Sequence, residues 1–122
     1  MTAEPGAGAE LGMVLDCADP ARLAGFWAAA LGHEQVGRFG SYAVLMAGDG
    51  SGRRFLLQAV PEPKRGKNRM HVDIVVDDVE DSAGRLESLG ARRCVGGLHE
   101  EHGHQWIVMA DPEGNEFCVC RG

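Results

Sequence analysis

Apolar and polar positions alternate along several short stretches of the chain, and two longer stretches repeat at helical spacing. Leu11 to Cys17 predicts a short strand. Asp19-Pro20 ends it and opens a helix: Asp19 offers a side-chain acceptor to the first free amides, and Pro20 suits the first helical position. Leu23, Phe26, Trp27, Ala30 and Leu31 then form one apolar stripe, with Gly32 as the stop. Glu34–Arg38, Tyr42–Ala47 and Arg54–Val60 predict three more strands, separated by Gly40-Ser41 and by the turn run from Gly48 to Gly52.

The same order recurs. Met70–Val76 predicts a strand rich in Val and Ile. Asp77-Asp78 precedes a helix that carries Val79, Ala83, Leu86 and Leu89 on one side and stops at Gly90. Ala91–Val95 is a weak strand, Gln105–Ala110 a strong one, and Glu116–Cys120 the last, after the turn Asp111-Pro112-Glu113-Gly114. Leu31-Gly32 and Leu89-Gly90 superpose at an offset of about 58 residues. A repeat of this kind implies two units, neither of which buries its apolar face alone. The expected fold class is α+β. Two βαβββ modules, about 11–63 and 67–121, build one curved, mostly antiparallel eight-stranded sheet with helices outside and a concave cleft inside. Residues 11–122 are expected to be a single domain behind a flexible leader, 1–10.

Side-chain alternation assigns faces. Met70, Val72, Ile74 and Val76 are purely apolar and belong under a helix, which turns His71, Asp73 and Val75 to the cleft. By the same reasoning Gly12, Val14 and Asp16, then Arg54, Leu56 and Gln58, then Glu116, Cys118 and Cys120 face it. Met13, Leu15, Cys17, Phe117 and Val119 fall on the helix side.

Composition narrows the function. Hydrophobic residues at 44% and charged residues at 25% fit a globular protein and exclude a disordered chain or a coiled coil. Gly, at 18 of 122, favours tight turns and strands over a helix bundle. A formal net charge of −6 argues against a nucleic-acid partner. Lys64, Arg65, Lys67 and Arg69 form one basic cluster, read either as a solvated loop or as a steering patch for a small anion. No apolar run reaches the roughly 18 residues of a membrane span, and Met1–Glu10 lacks the basic and apolar regions of a signal peptide. Cys17, Cys94, Cys118 and Cys120 are therefore expected as reduced thiols in the cytoplasm. No CxxC pair, phosphate-binding loop, nucleophile elbow or dinucleotide fingerprint is present.

Three segments carry a resemblance: Ala18-Asp19-Pro20 through Phe26-Trp27 to Leu31-Gly32; Lys67-Asn68-Arg69-Met70-His71-Val72-Asp73; and Asp111 through Cys118. In this order they make the chain similar to the vicinal oxygen chelate superfamily, the glyoxalase, bleomycin-resistance and extradiol dioxygenase group, and to its small glyoxalase-like domains. Metal-dependent members place one ligand on each of the first, fourth, fifth and eighth strands. The resemblance puts those positions at Gly12, Gln58, His71 and Cys118. Gly12 offers no side chain, and Cys118 stands where Glu is usual. A hard octahedral cation calls for oxygens, so this set is a poor match and no metal and no cofactor are expected. Glu116, two residues from Cys118, supplies a carboxylate only if the register shifts. Family members commonly pair, which with two sheet edges to cover implies a homodimer.

The candidate ligand-binding residues are Gln58, His71, Asp73, Trp106 and Cys118, with His71 and Asp73 as the candidate catalytic pair. His71 and Asp73 also read as hydrogen-bonded cleft residues, Cys118 and Cys120 as small gap fillers, and Trp106 as packing. His99-Glu-Glu-His102-Gly-His104 lacks helical metal-ligand spacing and reads as a solvated loop at the cleft mouth. Three functions follow. The first is a metal-independent binding protein that sequesters a flat or hydrophobic metabolite or drug, as in bleomycin resistance. The second is a lyase or isomerase with His71 as general base. The third is a metal-dependent glyoxalase or dioxygenase, against which Gly12 and Cys118 count.

Overall fold

In a computed structural model of the chain, residues 13–68 and 70–121 are described. The expected leader, Leu11, Gly12 and Arg69 lie outside them. The elements run β1 (Met13–Cys17), α1 (Pro20–Leu31), β2 (His33–Phe39), β3 (Tyr42–Ala47), β4 (Arg54–Ala59), β5 (Val72–Val75), α2 (Val79–Ser88), β6 (Arg92–Glu101), β7 (His104–Ala110) and β8 (Glu116–Arg121). This is the βαβββ order twice. The strands form two four-stranded sheets, β1-β4-β3-β2 and β5-β8-β7-β6. Each begins with a parallel pair, β1 with β4 and β5 with β8, and is otherwise antiparallel.

Local chemistry accounts for the helices. Asp19 Oδ1 accepts from the Arg22 amide at 3.2 Å, Pro20 takes the first turn, and Gly32 closes α1 at φ +66°. Asp78 caps α2 in the same way, accepting from the Asp81 amide at 3.0 Å, and Glu80 and Asp81 sit at the positive end of its dipole. Both helices cover one side of the strands. Leu23, Phe26 and Trp27 of α1 and Ala83 and Leu86 of α2 join Leu45, Leu57, Ile107, Met109, Phe117 and Val119 in one buried cluster. The modules therefore share a core, as the repeat implied. At its centre Trp27 meets Phe117 and Phe55 edge-on, with ring centroids 5.1 and 5.5 Å apart.

Two expectations are corrected. Met70 does not lie under a helix: β5 starts only at Val72, and Met70, in the bend before it, is 82% exposed. Alternation assigns a face only where the backbone is already extended. The segment His99–His104 is not a loop either. β6 and β7 pair through Glu101 and His104, and the two residues between them turn at φ +51° (His102) and +77° (Gly103). Two successive positive φ values are the signature of a tight hairpin whose twist matches its strands, and Gly at the second position makes it accessible.

Candidate functional site

Each sheet keeps one side open. In the second sheet, Phe117 and Val119 of β8 and Ile107 and Met109 of β7 turn toward the helices. Cys118 and Trp106 thus turn the other way. Asp73 pairs in register with Cys118, Cys118 with Val108, and Trp106 with Cys120. His71, just ahead of β5, reaches the same side: its Nε2 lies 3.2 Å from Asp73 Oδ1. These side chains line a cavity of about 400 Å³, with Lys67 and Asn68 of the inter-module linker on its rim. Four of the five residues selected from sequence are brought together: His71, Asp73, Trp106 and Cys118. Gln58 is not. It sits on β4 in the other sheet, paired with Asp16 and Tyr42. The cavity adds His104, Val108, Glu116, Phe117 and Cys120. Of these, alternation gives Glu116 and Cys120 as open-side positions, whereas reading His99–His104 as a loop gives His104 no face.

The site's electrostatics keep its thiols neutral. Burial, followed by the carboxylate of Asp73, pushes the Cys118 thiol above its ordinary value, and the same two causes raise Cys120. Cys118 is consequently a weak donor rather than a thiolate nucleophile. Asp73 accepts only, and its contact with Nε2 orients the imidazole of His71.

Glu116 also lines the cavity, but its carboxylate is engaged by the linker. Its Oε1 accepts from the Asn68 amide at 2.9 Å and its Oε2 meets Lys64 Nζ at 2.9 Å. Burial pushes its carboxyl up, but the Asn68 amide and the Lys64 ammonium outweigh that and hold it below the ordinary value. Lys64 of the basic cluster is thus an internal partner that ties the linker to β8. Lys67 alone of that cluster's described residues reaches the cavity rim.

The donor set bears on the metal of the family's metal-dependent members. His71, Asp73 and Cys118 each offer one ligand atom, all within 4.8 Å of one another. This set holds one imidazole, one carboxylate and a protonated thiol. Gln58 lies on the other sheet, and Glu116 is engaged by Lys64 and Asn68. The residues present do not fit a hard octahedral cation, which takes mostly oxygen ligands.

A paired βαβββ architecture with a pocket on one open sheet defines a glyoxalase-like protein. The family model described as "Glyoxalase-like domain" matches residues 12–120, and the chain belongs to that family. No curated protein matches it. Among solved structures, the fosfomycin resistance protein FosX of Listeria monocytogenes shares the fold at TM-score 0.74 and 12% identity, over 94% of this chain and 93% of that one. FosX of Mesorhizobium loti matches at TM-score 0.71 and 16% identity, over 93% and 92%. A glyoxalase-related enzyme from Fulvimarina pelagi matches at TM-score 0.71 and 17% identity, over 93% and 88%. At such identities the likeness is one of fold.

Proposed function

We propose that this protein binds a flat or hydrophobic small molecule, a metabolite or drug, in the cavity over β5, β7 and β8, and protects by sequestration without a catalytic metal. The observation that carries this reading is the convergence of His71, Asp73, Trp106 and Cys118 on one cavity of about 400 Å³, a size suited to a small ligand. A few polar groups fix orientation there, and Trp106, Val108 and Cys120 supply apolar walls. Mass spectrometry of molecules that co-purify with the chain tests the reading. His71→Ala should release such a ligand or weaken it about tenfold while circular dichroism stays unchanged. Unchanged binding places the site elsewhere.

The 3.2 Å contact between His71 Nε2 and Asp73 Oδ1 favours a second reading. An imidazole oriented by a carboxylate is equipped as a general base, here for a lyase or isomerase acting beside a carbonyl. Turnover lost in both His71→Ala and Asp73→Asn, with ligand affinity retained, would select it.

The protein is further proposed to be a cytoplasmic homodimer with no nucleic-acid or membrane partner. The four cysteines are free, and no helix among the described residues is long and apolar enough to cross a membrane. The open side of the first sheet is also apolar: Phe39, Tyr42, Val44, Met46 and Leu56 surround Arg54 in a hollow of about 360 Å³. Exposed apolar area of this kind is commonly covered by a partner. Light scattering should give twice the chain mass.

A further inference from the structure

Trp106 is not held by neighbours of its own strand alone. Its cross-strand partner on β6 is His99, and the two rings stack with centroids 5.2 Å apart and planes 17° from parallel. The imidazole of His104 lies 5.5 Å away at 32°. A local irregularity explains why His99 lies so close. From Arg93 to Leu98 β6 advances five residues while β7 advances two, from Met109 to Ile107. The surplus bulges outward at Val95, Gly96 and Gly97, the two glycines at φ +115° and +59°. A Cβ on Gly96 would stand 2.8 Å from His99 Nε2. The bulge favours glycine at 96 for its backbone, and the tip of the His99 imidazole rests where a Cβ would stand. His99 is packed between Gly96 and the indole.

We propose that Trp106, braced by His99 on the Gly96–Gly97 bulge, is the stacking wall of the cavity, and that the site takes a planar aromatic molecule carrying a protonated nitrogen that pairs with Asp73. The inference rests on the cavity being the ligand site. An indole fixed in advance loses little freedom when a ring stacks on it, so a flat ligand gains what a puckered one does not. The span also fits. Trp106 and Asp73 stand on β7 and β5, two strand spacings across β8 and two residues apart along it, about 12 Å on the diagonal, a span for a fused bicycle with one substituent laid over Cys118 and Cys120. At the far end the polar groups are Asp73, an acceptor only, and His71, with neutral Cys118 between. Glu116 is neutralised by Lys64. Lys67, on the rim, is the one cation among the cavity's described residues. It makes the aromatic carboxylate the competing ligand class. Asp73 is preferred in this account because it stands on β5 in the same sheet as Trp106, across β8 from it, whereas Lys67 lies in the linker ahead of β5. His99 touches no ligand and acts as a positioning residue.

The test titrates the full-length protein by calorimetry with three probes: 2-naphthamidine, 2-naphthoate and decahydronaphthalene-2-carboxamidine. Naphthamidine should bind best, with each other probe about tenfold weaker. Trp106→Leu should erase the preference for the planar amidine over the saturated one, and Asp73→Asn the preference for amidine over carboxylate. His99→Ala should weaken naphthamidine about three- to tenfold, and His99→Phe should restore it, which a merely structural loss would not allow. Equal binding of planar and saturated amidines, tighter binding of naphthoate, an unaffected His99→Ala variant, or no binding of any probe overturns the proposal. The cavity reading fails on a different result: a co-purifying ligand that His71→Ala does not disturb.

Discussion

Trp27 Nε1 donates to Asp111 Oδ2 at 3.0 Å, joining the first helix to the β7–β8 turn across 84 residues of sequence. Both side chains are buried. Asp111 also accepts from the amides of Glu113 and Asn115, and from Asn115 Nδ2. Glu113, in the same turn, accepts from the amides of Ala18 and Asp19 at 2.8 and 3.0 Å, just ahead of α1. The turn of the second module thus holds the helix entry of the first.

Removing Asp111 should therefore weaken the whole fold, because it leaves a buried indole N–H and several turn amides without an acceptor. We expect Asp111→Ala to cost about 2–4 kcal/mol and Trp27→Phe about 1–3 kcal/mol. The double variant should fall short of their sum by about 1 kcal/mol or more. Urea unfolding reads all three. Additive costs would mean that the contact contributes nothing of its own.

That contact marks what the sequence made legible and what it did not. The helix over Pro20–Leu31 was readable from Asp19, the apolar stripe and Gly32, because capping and periodicity are local. The open side of β5 and β8 was readable because Asp73 and Cys118 alternate with apolar neighbours. Asp111 read only as the start of a turn, since nothing local says that a tryptophan 84 residues away needs an acceptor. Alternation groups Gln58 with the site because it gives a face but not the sheet that face belongs to. The tie of Glu116 to Lys64 and the bed that Gly96 makes for His99 depend on register and on a bulge, which pattern does not fix.

Acid should loosen the linker. A carboxyl whose folded-state pKa lies below its unfolded value stabilises the fold above that unfolded value. It loses this contribution as pH falls through the folded one. Glu116 is such a group, held down by the Asn68 amide and Lys64 against its own burial. Stability should decline on the acid side of the carboxylate range. Glu116→Gln should lower stability at neutral pH and flatten that decline. Thermal melts across the range decide it, and parallel curves for the two proteins would dismiss Glu116 as a contributor.

The thiols should differ from free cysteine in reactivity. Burial first, then the carboxylates of Glu113, Asp111, Asp16 and Asp19, raises Cys17 to about 11. Only about a thousandth of it is thiolate near pH 8, and the thiolate is the species that alkylates. Cys118 and Cys120 are raised as well. Iodoacetamide followed by peptide mass spectrometry should leave Cys17 unmodified and label Cys118 and Cys120 more slowly than a free thiol. All four cysteines should react once the chain is unfolded. Rapid labelling of Cys118 in the folded protein would remove the neutral-thiol account of the cavity floor.

Metal binding separates the sequestration reading from the metalloenzyme one. His71, Asp73 and Cys118 lie within 4.8 Å of one another, so a cation that reaches them meets one nitrogen, one oxygen and one sulfur. Magnesium and manganese draw on oxygen donors and gain little there. Zinc accepts all three donor types, but it must first displace a proton from a thiol that burial and Asp73 keep protonated, and it must compete with the His71–Asp73 contact. We expect protein purified without an affinity tag or chelator to carry no stoichiometric divalent metal by elemental analysis. Titration with manganese should show no saturable site, and zinc should bind weakly and more tightly as pH rises, since each ion releases a proton. About one metal per chain after purification, lost in His71→Ala and in Cys118→Ser alike, would reverse this expectation. The cavity would then be a metal centre with a donor set unlike that of its metal-dependent relatives.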